Sequence, residues 1–372
     1  MPARHRPLLA VALAAAVVWG GMSLWPEPAA VVPPVAAVSP PVKPPAARTG
    51  RERISEDWQS ILAACEKGED PEKIRRQLAD LKKRWLEEDD LYLVAAMSAH
   101  LLRGGADAKT GIPFEVGGGR SLKGWPTLRV FLLEMLGVTD PDLAAEVARE
   151  VLGTTGSAEE YAVALKALLQ KGPWRAPDAE LEGYFSTMLG KPDWQKSAGL
   201  AEALDLARVV ATPAATATLA AWLDQSPPAR EVGAMALHET AAADARLVTE
   251  LIAEQPGLFE DQGSLRASLM ARATVLEAGQ PELVDGYLRN PAVSVEEKRE
   301  FLAVYPLRSA TTGYRLYGSP PAPYERAAVV ADDQAALEAV GRWKADPALA
   351  ELLPEMGRLE GRLQAWVKQG EE

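Results

Sequence analysis

Apolar residues recur at three- and four-residue spacing along most of the chain after residue 50, which places them on one face of a helix. Leu143, Val147, Val151 and Leu152 show the spacing after Asp140. Helix starts are marked where a capping side chain precedes a proline: Asp70-Pro71, Asp140-Pro141, Thr212-Pro213, Ser226-Pro227 and Asp346-Pro347. The capping oxygen satisfies a free N–H of the first turn, and proline suits a position whose N–H would have no partner. Residues 51–103 read as three helices, and 324–344 and 346–369 as two more. Two stretches break the pattern. Residues 104–123 form a Gly-rich segment long enough to suggest function or disorder, and residues 306–323 are irregular.

Between these stretches the pattern repeats. Segments beginning at Gly124, Ser157, Asp193, Pro228 and Ser264 start 33, 36, 35 and 36 residues apart. Each offers an Ala- and Leu-rich first helix (128–136, 161–169, 198–210, 232–237 and 265–276), a turn and a second helix. The second helices share a look: PDLAAEVAREVL, PDAELEGYFSTML, PAATATLAAWL, DARLVTELI and PELVDGYL. One helix pair cannot bury both of its apolar stripes, so the pairs must stack on neighbours. Pro228, Arg230, Val232, Ala234, Ala236 and Leu237, with a second helix from Asp244, resemble a HEAT repeat, and the run from Ser264 is similar. The resemblance covers about residues 124–290. It implies an all-α fold, a curved α-solenoid presenting a surface to proteins or peptides, and it implies no catalytic residues. Residues 49–123 are then an N-terminal helical cap, 124–298 the repeats, and 299–372 a C-terminal loop with capping helices.

The N-terminus has a different character. Arg4 and Arg6 precede an uncharged run, residues 7–25, which as a helix would span roughly 28 Å, close to the thickness of a bilayer core. Arginines before the run orient the N-terminus toward the cytoplasm, and Trp19 and Trp25 suit the outer interface. Residues 1–25 read as a retained signal anchor in a bacterial cell membrane; a cleaved secretory signal is the alternative. Residues 26–48 contain eight prolines and make an extended linker of roughly 65 Å reach. Either way the main domain is expected on the extracytoplasmic, periplasmic side.

Composition sharpens the picture in three ways. Only five isoleucines occur against long runs of Ala, Leu, Glu, Lys and Arg, as expected of helices. The net charge of −12 and the lack of a basic stripe argue against a nucleic-acid partner. The single cysteine, Cys65, excludes an intramolecular disulfide, and its Ile61, Leu62 and Ala64 neighbours mark a buried thiol.

Catalytic chemistry finds little footing. His238-Glu239 opens like a metalloprotease motif, but Ala242 stands where the second imidazole belongs, so neither metal nor cofactor is expected. Gly117-Gly118-Gly119-Arg120-Ser121 lacks the Gly-Lys-Ser order of a phosphate loop and reads as a flexible surface loop. A Cys65–His100 pair lacks an orienting third group. The run from Glu87 to Asp90 reads as a solvated cap.

The aromatics are the more distinctive feature. Trp125 and Trp174 lie at repeat boundaries, and Tyr314, Tyr317 and Tyr324 cluster in sequence with Arg315 among prolines. Such residues either fill the space between stacked pairs or, as large rigid contact groups, border a peptide or protein site. The expected function is a membrane-tethered, extracytoplasmic scaffold or adaptor for a protein or peptide partner. A cell-envelope hydrolase or lyase acting on glycan or peptide, and a structural envelope spacer, are the rivals.

Overall fold

Local sequence sets where the helices begin. Asp70, Asp90, Thr127, Asp140, Ser157, Thr212 and Ser294 each accept a hydrogen bond from a first-turn N–H. Thr49 and Glu52 form a reciprocal capping box. In the computed structural model, which describes residues 49–105, 107–170, 175–225, 227–274, 280–308, 315–318 and 325–371, the chain is almost entirely α-helical. The membrane segment and Pro-rich linker expected over residues 1–48 lie outside the described residues. Among those described, no helix is long and apolar enough to cross a membrane.

Three helices come first: α1 (Gly50–Glu66), α2 (Pro71–Leu86) and α3 (Leu91–Arg103). The Gly-rich stretch then departs from its expectation as a loop. It holds a two-stranded antiparallel ribbon, β1 (Glu115–Val116) and β2 (Leu122–Gly124), with Ile112 and Leu122 buried. A Cβ at Gly124 would sit 2.0 Å from the Pro113 carbonyl oxygen, so the ribbon closes only around glycine.

Helix pairs follow: α4 (Leu128–Thr139) with α5 (Pro141–Thr154), then α6 (Ala158–Leu168) with α7 (Asp178–Leu189). The third first helix, expected unbroken over 198–210, is split into α8 (Ala198–Ala203) and α9 (Leu206–Val210). The ladder tightens there to three-residue hydrogen bonds at Asp205 and Ala207. Next come α10 (Pro213–Asp224), α11 (Arg230–Ala243), α12 (Arg246–Glu254), α13 (Gly263–Met270), α14 (Gln280–Arg289) and α15 (Val295–Val304), which crosses the expected repeat boundary at 298. The helices α16 (Arg326–Lys344) and α17 (Leu353–Glu371) close the chain.

Two starts and stops differ from expectation. Pro227 does not open α11, which begins at Arg230 without a side-chain cap. The first helix expected to reach 276 ends at Met270, because the Ala271 carbonyl accepts instead from Leu307 N at 2.7 Å. That acceptor is taken by a segment 36 residues away in sequence (307 − 271 = 36).

First helices pack on first helices: α4 on α6, α6 on α8, α9 on α11, α11 on α13 and α13 on α15. Second helices do likewise for α3 with α5, α7 with α10, α10 with α12 and α12 with α14. Polar links join helices of neighbouring units. Thr127 and Glu160 are 33 residues apart, Arg149 and Glu180 31, Phe259 N and Asp224 35, Thr249 and Gln280 31, and Arg266 and Glu297 31. A close backbone junction lies at Gly199, where α8 meets the start of α6. A Cβ there would lie 2.4 Å from the backbone of Ala158 and Glu159.

Gly199→Ala should therefore force the two units apart, at a cost of about 1–3 kcal/mol as for other overpacked cores. Urea unfolding measures it; an unchanged midpoint would mean that the junction is loose.

Candidate functional site

The helices α4 and α6 are apolar almost all round. From Ala158 to Leu168 only Glu159 and Lys166 are not buried, and Val130 to Leu136 is buried without a break. Besides the Arg129–Glu160 pair, Glu134 and Lys166 interrupt this apolar surface and organise what lies over it. Glu134 of α4 is 3% exposed and accepts from Leu122 N at 2.6 Å, Trp125 Nε1 at 2.7 Å and Lys82 Nζ at 2.8 Å. A buried carboxylate needs such partners, since an unmatched charge off water costs several kcal/mol. Lys166 of α6 donates to the Arg120 carbonyl oxygen at 2.5 Å. The turn at 118–120 is thereby fastened to α6, and Gly117 N donates to the Ser121 carbonyl at 2.7 Å.

Around these groups lies a cavity of about 790 Å³. Its cationic lining comes from Arg120 on the turn, Lys166 on α6, Arg175 before α7 and Arg208 on α9. Its apolar lining includes Leu133, Val138, Val163 and Val209, and Tyr317 and Gly318 form another part of the wall. Arg208 is spoken for by Asp205, through both carboxylate oxygens at 2.6 and 2.7 Å, and Arg175 by Asp178 at 2.7 Å. Burial pushes the Lys166 ammonium pKa down; Glu134 opposes this, while Lys82 and Arg120 add to it.

The residues singled out from sequence have separate fates. Trp125 is buried at the base of the ribbon, edge-on to Phe131 at 5.5 Å, with its N–H committed to Glu134. Tyr317 is 4% exposed, and its hydroxyl donates to the Ala162 carbonyl at 2.9 Å. Arg315 pairs with Glu239, while Leu316 N donates to Glu202 at 3.2 Å. The stretch 315–318 thus lies against α6, α8 and α11, and of the three candidates among the described residues only Tyr317 reaches the cavity lining. Trp174, Tyr314 and Tyr324 lie outside the described residues. Sequence reasoning passed over Lys166 and read Arg120 only as part of a flexible surface loop. The available signal was a lone lysine inside AVALKALL, a run otherwise apolar on every helical face.

The groups considered for catalysis are occupied otherwise. His238 Nδ1 accepts from Arg272 Nε at 3.1 Å, so its proton sits on Nε2, pointing at Ser268 Oγ 3.2 Å away. Ser268 in turn donates to the Leu265 carbonyl at 2.8 Å. An imidazole in that tautomer cannot take the serine proton, so the pair is no nucleophile and base. Burial raises the Cys65 thiol pKa, which is the reverse of activation. Glu202 is also raised by burial, but it is engaged with Leu316 N. Asp333 is raised by burial and paired with Arg308 at 2.6 Å. Glu88 pairs with Arg53, and Asp90 caps α3. Among the described residues, no cluster of His, Cys, Asp and Glu is placed to hold a metal ion.

No family model, curated protein or solved structure matches the chain.

Burial, with the Arg272 charge adding to it, lowers the His238 pKa from its ordinary 6.5 to about 4. The unfolded imidazole therefore binds a proton where the folded one stays neutral, so stability falls as pH drops from about 6.5 toward 4. Acidification from pH 7 to 5 should cost about 2 kcal/mol through this group. Denaturant unfolding of wild type and His238→Gln at both pH values checks it. Equal losses in the two proteins would remove His238 as the cause.

Proposed function

We propose that the chain is a membrane-tethered, extracytoplasmic α-solenoid of HEAT-like helix pairs, serving as a scaffold or adaptor that binds a protein or peptide partner. The observation that carries this reading is the recurrence of polar links between successive units, at separations of 33, 31, 35 and 31 residues for Thr127–Glu160, Arg149–Glu180, Asp224–Phe259 and Thr249–Gln280. Repeats joined mainly to their neighbours build extended surfaces, which suit recognition of another chain. The two rows of helix contacts support the same reading, and the cavity beside α4, α6 and α9 offers a place for a partner to enter. The tether rests on residues 7–25 and the reach on the prolines of residues 26–48.

Val138, 55% exposed at the cavity, is a natural probe position. A photo-crosslinking amino acid placed there in the full chain, in its native cell, should give a discrete protein adduct. The same group at exposed Asp142 of α5 should not. Equal labelling from both positions, or none, would sink the scaffold reading. A compartment reporter fused after Glu372 should be active only outside the cytoplasm; activity inside alone would overturn the address.

A further inference from the structure

The charges around the cavity do not balance. Both oxygens of Glu134 are committed to Lys82, Trp125 and Leu122, and Asp205 and Asp178 are committed to Arg208 and Arg175. That leaves Lys166 and Arg120, which make no ion pair among the described residues. Two cations without an ion pair among the described residues, Lys166 eased only by the shared charge of Glu134, therefore face one cavity in a chain whose net charge is −12. Desolvating an ammonium beside other cations is costly unless an anion joins it, and arrangements that cost stability in the free protein mark binding sites.

The rest of the lining says what the anion is attached to. Val138, Val163 and Val209 adjoin the cations, so a fully hydrated ion would leave apolar wall unused. The volume of about 790 Å³ lies within the range of sites that enclose a ligand, with room for several residues. The neighbouring wall already holds a short stretch of the chain itself, bent at Leu316 and Tyr317. Leu316 is fully buried there, its backbone N–H bonds to Glu202, and Tyr317 reaches the Ala162 carbonyl. This face accepts both backbone and apolar side chains, and Tyr317 and Gly318 carry that wall into the cavity.

We propose that the cavity binds an acidic segment of a protein partner, a carboxylate lying between Lys166 and Arg120 and an adjoining aliphatic side chain against Val138, Val163 and Val209. The proposal rests on the scaffold reading and adds the chemistry of the partner. Lys166 and Arg120 supply charge, and the valines select acidic segments that also carry apolar residues.

The test uses the full chain in detergent and a short fluorescent peptide of alternating Glu and Leu, with its Gln and Leu counterpart as control. Anisotropy should show the acidic peptide binding at least about tenfold more tightly than the amide, with affinity falling as salt rises. Lys166→Met and Arg120→Ala should each lower the affinity about tenfold. Lys166→Met removes a desolvated charge together with the bond to the Arg120 carbonyl, so retention of a cooperative thermal transition shows that its lost affinity does not come from unfolding. Equal binding of both peptides, or wild-type affinity in both variants, would overturn the proposal. So would Lys166-dependent binding of an alkyl phosphate or of anionic lipid vesicles in place of the peptide. A crosslink from position 138 together with equal binding of both peptides refutes the acidic site and leaves the scaffold standing. Tight, Lys166-dependent peptide binding with no adduct in cells upholds the site and removes the scaffold.

Discussion

Two helices that are apolar on nearly every side have to be covered on every side, and the middle of this molecule is arranged to do so. The core positions of α4 and α6 gain stability only when other elements exclude water from them. Neighbouring helices cover most of that surface, and the β1–β2 ribbon and residues 315–318 cover more. A polar group on such a helix must then find partners within the covering layer. Glu134 finds three donors, and in doing so fixes the ribbon, the Trp125 indole and α2 against one another.

Polar pairing elsewhere follows the same rule. Arg266 and Glu297 are both almost fully buried and meet through two hydrogen bonds of 2.7 Å, with the Tyr287 hydroxyl donating to the same carboxylate at 2.5 Å. Arg308 spans Asp332 and Asp333 at 2.5 and 2.6 Å. Removing one partner of such a pair strands a charge in the core, so these contacts fix register between helices more than they add net stability. Lys166 and Arg120 depart from this pairing: Lys166 meets the Arg120 carbonyl, and neither makes an ion pair among the described residues.

The sequence spoke clearly where forces act over a few residues. A cap at Asp70, Asp140 or Thr212 bonds to an N–H three positions on, so the start of its helix is written locally. The buried thiol of Cys65 was legible for the same reason. The candidate site was read less well. Among the six residues chosen for their aromatic or cationic character, Trp125 serves packing and Arg315 an ion pair, while Tyr317 combines packing with a place in the cavity wall.

Composition and periodicity by themselves determined a mainly helical fold and the places where most of the described helices begin, because caps and apolar stripes are properties of neighbours in sequence. Tertiary structure alone decided that the Gly-rich stretch closes into a ribbon, that α13 stops where Leu307 takes the Ala271 carbonyl, and that Lys166 meets Arg120. Those outcomes depend on groups brought together from 36 and 46 residues away in the two hydrogen-bonded cases. No local preference encodes such a meeting; it follows from which buried surfaces and charges must be matched once the helices have packed.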